Sequence, residues 1–348
     1  MVAAVQTTSR AAHPVRSAAF WRAYGVTMRP YLCFVSGAAG LVGLALAFAQ
    51  GSPALAALPL APAAGAASFA GAFAALFLTY GLGQALTDVF QTDTDTLSSP
   101  YRPLTRGAIT RAQVLAVSLA GLALCGLVLA VLNPWTLPLS ALAVLGLVAY
   151  TWFKRRWWGG PLWNAWVVAV LPAIGFLAGG GRVGALGSDR QLQAVMVSVL
   201  FSYAVFVLLG YFKDVSADRA TGYRTLVVVA GWRTATWVSF GFALAAVAAS
   251  GWLLEGLHAF DGGGAPSLAV ALPLWLAGAG CIVGAHPYML RIRAESEAHR
   301  AITWTVRGFV LLHLGESAVA LPALVIPALL FYGLFEVVMA RRPERSQV

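Results

Sequence analysis

Residues 191–212 read QLQAVMVSVLFSYAVFVLLGYF, and the chain continues at once into KDVSADRATGYRTL, residues 213–226. The first segment contains no charged residue. As an α-helix rising ~1.5 Å per residue it is long enough to cross roughly 30 Å of hydrocarbon. The second segment crowds Lys213, Asp214, Asp218, Arg219 and Arg224 directly behind that helix. An uncharged crossing that ends in a burst of charge is the unit from which the chain is built.

Comparable segments occur at 31–50, 68–90, 112–132, 138–153, 161–180, 234–254, 267–290 and 321–340. Of the 348 residues, 59% are hydrophobic and only 10% charged, with a mean hydropathy of +0.77. A soluble domain carries about a quarter charged residues and cannot hide this much apolar surface. The expected fold is therefore an all-α membrane bundle of about nine transmembrane helices. It forms one integral-membrane domain over 1–348, with a cytoplasmic arm at 1–30 and the bundle at 31–340. The stretch from His299 to Glu316 holds Arg300, Arg307 and His313 among apolar residues. It reads either as an interfacial amphipathic helix or as a tenth, protein-facing span.

The net charge of +10 is placed by topology rather than by nucleic acid, which is not an expected partner. Arginines and lysines cluster before the first span (Arg10, Arg16, Arg22, Arg29) and behind the second, fourth, sixth and eighth, all on one side of the bilayer. The positive-inside rule assigns that side to the cytoplasm, with the plasma (inner) membrane as the expected location. Arg341, Arg342 and Arg345 fall on the wrong side of nine crossings, which argues for a tenth. Cys33, Cys125 and Cys281 lie within spans without metal-ligand spacing and read as small packing residues. The glycine-rich runs at 51–71 and 179–187 read as connectors and close helix contacts.

Five of the acids fall at two helix ends: Asp88, Asp93 and Asp95, then Asp214 and Asp218. A carboxylate beside hydrocarbon needs a compensating cation. On one continuous helix Gln84, Asp88, Gln91 and Asp95 share a face, Asp93 points away, and Asp214 and Asp218 share a face of their own. The two windows echo each other, each with a Tyr-Arg pair soon after the acids. Two such faces across a cavity offer hard oxygen ligands to Mg²⁺, which spends its remaining positions on phosphate and water. Arg102, Lys213, Arg219 and Arg224 stand ready for phosphate oxygens.

These residues resemble the UbiA-type intramembrane prenyltransferase family. Lys213 to Tyr223 is similar to its DxxxD motif, Pro100 to Leu104 with Gly107 to its PxRPLxxG stretch, and Tyr150 to Lys154 to its YxxxK motif. Asn164 stands where members often carry asparagine. The NxxxDxxxD motif departs in register. Counted back from Arg102, Asp95 is the last aspartate, with Gln91 and Thr87 in the other places. Counted forward, Gln84 and Asp88 are the asparagine and first aspartate, with Asp95 displaced by three. The shared helix face favours the second count. The resemblance implies Mg²⁺ held by Asp88, Asp95, Asp214 and Asp218, and an isoprenyl diphosphate gripped by Arg102, Lys154, Lys213 and Arg224. Gln84, Gln91, Asn164, Tyr150 and Tyr211 complete the site. Ionisation would leave an allylic cation, for which Trp152, Trp157, Trp163, Trp166, Tyr203 and Tyr211 are candidate stabilising rings at about 0.5 to 2 kcal/mol each.

The prenyl group would pass to an aromatic or other lipophilic acceptor, from a site facing the cytoplasm. A terpene cyclase on the same scaffold, without acceptor, is the alternative. A transporter fits less well, because transport sites lie near the midplane and these charges lie at one set of helix ends. Single cysteines placed at Ser98, Ser216 and Ser9 should all label from the same side of sealed membranes. Labelling of any one from the opposite side would break the topology.

Overall fold

The computed structural model describes residues 12–51, 61–259 and 268–342; Arg10, Arg345 and most of the 51–71 connector lie outside them. Among the described residues every regular element is helical. In chain order the helices are α1 (Ala18–Met28), α2 (Cys33–Ala49), α3 (Ala61–Asp88), α4 (Thr92–Ser98), α5 (Arg111–Leu132), α6 (Thr136–Arg156), α7 (Gly160–Ala169) and α8 (Leu171–Ala178). They continue as α9 (Ala185–Ser188), α10 (Arg190–Gly210), α11 (Val215–Ala220), α12 (Leu226–Ala230), α13 (Trp232–Gly256), α14 (Leu268–Met289), α15 (Ala298–Ala320) and α16 (Val325–Ala340). Nine stretches of these are long and apolar enough to cross a membrane, matching the nine expected spans.

The tenth long helix is α15. Though one of the least apolar, it is buried along nearly its whole length between α2, α10 and α14. A helix facing lipid must be apolar outward, whereas one enclosed by protein can carry polar groups if they pair. α15 does so: His313 Nδ1 lies 2.7 Å from Glu316 Oε2, His313 Nε2 lies 3.0 Å from Ser202 Oγ, and Ser198 and Ser250 donate to Glu316 Oε1. All of these groups are fully buried. The His299–Glu316 stretch is thus a protein-facing helix of the bundle rather than a surface one. It also settles the count of crossings, since Arg341 and Arg342 at the end of α16 line one cleft with Arg22 and Arg29 of the amino-terminal arm.

The lipid-facing helices behave inversely. α5 exposes Leu124, Leu127 and Val131, α6 exposes Leu145, and α16 exposes Ile326 and Leu330. The central pair, α2 and α8, meets backbone to backbone: a Cβ on Gly43 would overlap the Pro172 carbonyl, and one on Gly175 the Gly40 carbonyl. Such glycines let helices close up where lipid tails supply no hydrophobic drive for association.

Gly175→Ala and Gly280→Ala should therefore act in opposite directions. The first drives a methyl into main-chain atoms and should destabilise by roughly 1–3 kcal/mol. The second points into open space and should leave the detergent-solubilised melting temperature unchanged or raised, alanine being the better helix former by about 1 kcal/mol.

Candidate active site

The two acidic windows meet at one end of the bundle, and both are built by interrupting a helix. α3 stops at Asp88, the chain turns through Val89–Gln91, and α4 begins at Thr92. α10 stops at Gly210, a 3₁₀ turn spans Tyr211–Lys213, and α11 begins at Val215. The short helices touch, with Thr94 Oγ1 and Thr221 Oγ1 3.1 Å apart. Asp88 and Asp95 do converge, but not on one continuous helical face, because the helix breaks between them. The break carries the displaced spacing of the motif.

Ion pairs organise the cluster. Gln84 Nε2 donates to Asp88 Oδ1 at 2.8 Å, and Arg29 Nη2 reaches both Asp88 oxygens at 3.0 and 2.8 Å. Arg102 Nη1 lies 2.5 Å from Asp95 Oδ2 and 3.8 Å from Asp88 Oδ1, joining the two acids. Lys154 Nζ lies 3.3 Å from both Gln91 Oε1 and Asp218 Oδ1. Its ammonium also stands about 5 Å from the Tyr211 and Tyr223 ring centres. Tyr150 and Tyr211 share a hydroxyl hydrogen bond of 2.8 Å.

Burial pushes the Asp95 carboxyl up from the ordinary range, with Arg102 countering only in part. It pushes Asp218 up likewise, against Lys154. For Arg102, burial disfavours the charge, but Asp95 and Asp88 outweigh it and hold the guanidinium protonated. These are charges that the protein holds at a cost, the setting in which a further counter-ion or anionic ligand binds well.

One cavity collects most of the expected residues. Asp88, Asp95 and Asp214 line it with Arg102, Lys154 and Lys213. Gln84, Gln91, Asn164, Tyr150 and Tyr211 line it as well. Two expected residues do not. Arg224 is exposed outside it, and Asp218 is wholly buried behind Lys154, where its helix turns it away from the opening. Asp93 pairs with Arg155 at 2.6 Å at the surface. The tryptophans are also elsewhere: Trp163 stacks on Phe153 and donates to the Gly146 carbonyl, Trp166 packs on Gly146, and Trp152 and Trp157 are exposed. Tyrosines and Phe206 supply the cavity's rings instead.

Arg29 is the principal residue that sequence reasoning missed. It read as one more basic residue before a span. Its place in the cavity depends on a left-handed backbone at φ 51°, which turns the chain between α1 and α2 and aims the side chain inward. No sequence signal distinguishes it from Arg22.

Beneath the charged cavity lies an apolar chamber of about 740 Å³, counted with the open space at its mouth. Leu76, Leu122, Leu129, Leu147, Leu171 and Ile174 form its walls. Tyr80, Gln84, Thr87, Asn164 and Tyr203 line both spaces and form the rim between them, with Tyr80 and Tyr203 joined hydroxyl to hydroxyl at 2.9 Å. Such a volume suits a small-molecule site.

The comparisons agree with this geometry. Residues 40–284 match the UbiA prenyltransferase family model. The chain is 36% identical over 189 residues to digeranylgeranylglyceryl phosphate synthase of Natronomonas pharaonis, covering 53% of this chain and 64% of that one, a little under two thirds of the relative's length. It is 30% identical over 231 residues to the synthase of the same name from Thermococcus kodakarensis, covering 66% and 76%. The fold matches the apo structure of a UbiA homolog from Aeropyrum pernix K1, with TM-score 0.63 and 22% identity over 81% of this chain and 96% of that one. It also matches a UbiA homolog from Archaeoglobus fulgidus bound to GPP and Mg²⁺, with TM-score 0.53 and 17% identity over 83% and 99%. The fold and site define a membrane-embedded prenyltransferase class. The chain belongs to the UbiA prenyltransferase family.

The unequal burial of the three acids in the first window gives a direct test. Asp88→Asn and Asp95→Asn should each lower turnover about a hundredfold or more, as loss of a preorganised charge at a reacting centre does. Asp93→Asn removes a surface pair worth ~1 kcal/mol or less and should change turnover only a few-fold. Steady-state rates of diphosphate release decide it, and an essential Asp93 with a dispensable Asp88 would reverse the assignment.

Proposed function

We propose that the chain is a Mg²⁺-dependent prenyltransferase that ionises an isoprenyl diphosphate and passes the prenyl group to a lipophilic acceptor. The observation that carries this reading is the shared rim: a charged cavity opens directly into an apolar chamber. A diphosphate with a hydrocarbon tail has the same two parts. The homolog bound to GPP and Mg²⁺ supports it, as do relatives named for a digeranylgeranyl product.

The donor set fits Mg²⁺. Asp88, Asp95 and Asp214 present oxygen ligands to one cavity, the hard ligands this ion takes. Their charges and that of Asp218 balance Arg29, Arg102, Lys154 and Lys213, so a polyanionic substrate needs a divalent cation brought in with it. When bound, that ion draws charge from the diphosphate and makes it a better leaving group. Arg102, Lys213 and Lys154 are placed to hold the diphosphate oxygens. If Lys154 turns to the substrate, it uncovers Asp218, which then joins the anionic set. Tyr80 and Tyr203 at the rim present rings to the developing allylic cation, and the chamber keeps water from it. The aliphatic walls hold a chain without folding it against aromatic faces, which favours transfer over the cyclase alternative.

Asp214→Asn should purify and melt like the parent. In the parent, a non-hydrolysable prenyl diphosphate with Mg²⁺ should raise the melting temperature, by about 2.7 kcal/mol of stabilisation at a hundred times Kd. The variant should lose most of that shift. Asp218→Asn should also lower the basal melting temperature, because it strands buried Lys154, a loss of about 3–5 kcal/mol. A parent without any Mg²⁺-dependent shift or diphosphate release would overturn the reading. A cyclic hydrocarbon formed without acceptor would favour the cyclase.

A further inference from the structure

A second opening lies on the other side of Arg29, between α1, the start of α2 and the end of α16. Arg22, Arg29, Arg341 and Arg342 line it, and no acid among the described residues does. Val26, Tyr31 and Val338 supply apolar walls. Among the described residues no ion pair engages Arg22 or Arg341. This is a concave surface with four guanidinium groups and nothing anionic to balance them.

Basic residues at this level of a membrane protein ordinarily do no more than touch lipid headgroups. Arg29 separates this cleft from that case. It is only 7% exposed, sits at a left-handed backbone position that a non-glycine residue occupies at some cost, and keeps a buried Nε without a hydrogen-bond partner. Strain and an unmet donor on a residue that walls both openings are features of a binding site. The surroundings name the occupant. Trp21, half exposed beside Arg22, marks the bilayer interface, and α16 shows Leu330, Leu334 and Val337 to the hydrocarbon just beyond Val338. A ligand held here has an anionic head among arginines and an apolar body toward lipid. Guanidinium groups favour phosphate through paired, charge-assisted hydrogen bonds.

We propose that this cleft docks the phosphate head of an anionic lipid, and that this lipid is the prenyl acceptor; the second clause rests on the prenyltransferase reading above. Arg29 forms the partition. A head bound on its outer side holds the neighbouring atoms of the lipid one side chain from the diphosphate cavity. In the transfer, a lipid hydroxyl oxygen bonds to the allylic carbon as the carbon–diphosphate bond breaks. The diphosphate leaves with the bonding pair, and the hydroxyl proton passes to water or to the released diphosphate.

The test uses the full chain in detergent and the double variant Arg22→Gln/Arg341→Gln, neither residue belonging to the diphosphate cavity. The probes are a lysophosphatidic acid, which has a phosphate and a free glycerol hydroxyl, the matching monoacylglycerol, and inorganic phosphate. The phosphate lipid should raise the parent's melting temperature, and the variant should bind it about tenfold or more weakly, the loss expected for removing charge-assisted contacts. The shift from the prenyl diphosphate analogue with Mg²⁺ should be the same in both proteins. With labelled geranylgeranyl diphosphate, the variant should show a raised KM for the phosphate lipid at unchanged kcat. Equal binding of the phosphate lipid by parent and variant, or of monoacylglycerol and phosphate lipid by the parent, overturns the docking site. A full shift from inorganic phosphate alone makes it a free-phosphate site and overturns the lipid assignment. Label entering both lipids equally overturns the acceptor assignment. Loss of the analogue shift in the parent would sink the prenyltransferase reading separately, leaving the lipid-binding arm to be judged by itself.

Discussion

Charge at the edge of hydrocarbon must be neutralised, and the chain Arg29–Asp88–Arg102–Asp95 is where this protein meets that demand. Each member comes from a different piece of structure: the end of α1, the end of α3, the loop after α4, and α4 itself. None of the four is tolerable alone in such a place, since breaking one partner from a buried pair costs about 3–5 kcal/mol. The pairing therefore fixes where the amino-terminal arm lies and how the loop after α4 folds back. The arm is fastened further by His13, whose amide donates to the Ala108 carbonyl and whose own carbonyl accepts from Gln113. The opposite set of helix ends needs nothing comparable. There a single contact, Gln50 with Asp189 at 2.6 Å, links α2 to α10.

What the sequence made legible follows from how strong each physical demand is. Crossings are dictated by hydrocarbon thickness, so the apolar runs mark them to within a few residues. The grouping of acids at two helix ends was equally visible, because uncompensated carboxylates are rare there. Geometry inside the motif was not visible. A periodic reading places Gln84, Asp88, Gln91 and Asp95 on one face, whereas the turn at Val89–Gln91 is what brings Asp88 and Asp95 to Arg102. Hydropathy carries no sign of that turn. Arg29 was hidden for a related reason: its role rests on one backbone dihedral, which composition does not encode. The tryptophans misled because aromatic residues near helix ends serve packing and interface roles more often than cation binding.

α15 shows why composition alone misjudges a central membrane helix. Average hydropathy ranks it with surface helices, yet it is the helix that α2, α10 and α14 enclose. Its His313–Glu316 pair gains partners from two neighbours, with Ser198 and Ser202 on α10 and Ser250 on α13, while Trp275 on α14 donates to Ser250. In hydrocarbon these polar groups have no water as an alternative, so each bond also specifies which face of α15 meets which neighbour. The polarity that disqualifies the helix as a lipid-facing span is what orients it inside the bundle.

The same logic explains the division of the site into two chambers. A wholly charged cavity would bind a diphosphate and leave the tail in an unfavourable setting, and a wholly apolar one could not desolvate the phosphate. Placing charges only at helix ends, and apolar side chains only below them, confines the boundary to a narrow ring of Tyr80, Gln84, Thr87, Asn164 and Tyr203. Any molecule that fills both spaces must put its polar–apolar junction at that ring. For a prenyl diphosphate the junction is the allylic carbon and its oxygen, the bond that breaks. The two tyrosine rings and the neutral amides of Gln84 and Asn164 then surround a nascent cation with dipoles and π-faces rather than with carboxylates that would capture it. Reactive geometry in this reading is set less by any one catalytic residue than by where the bundle stops being polar.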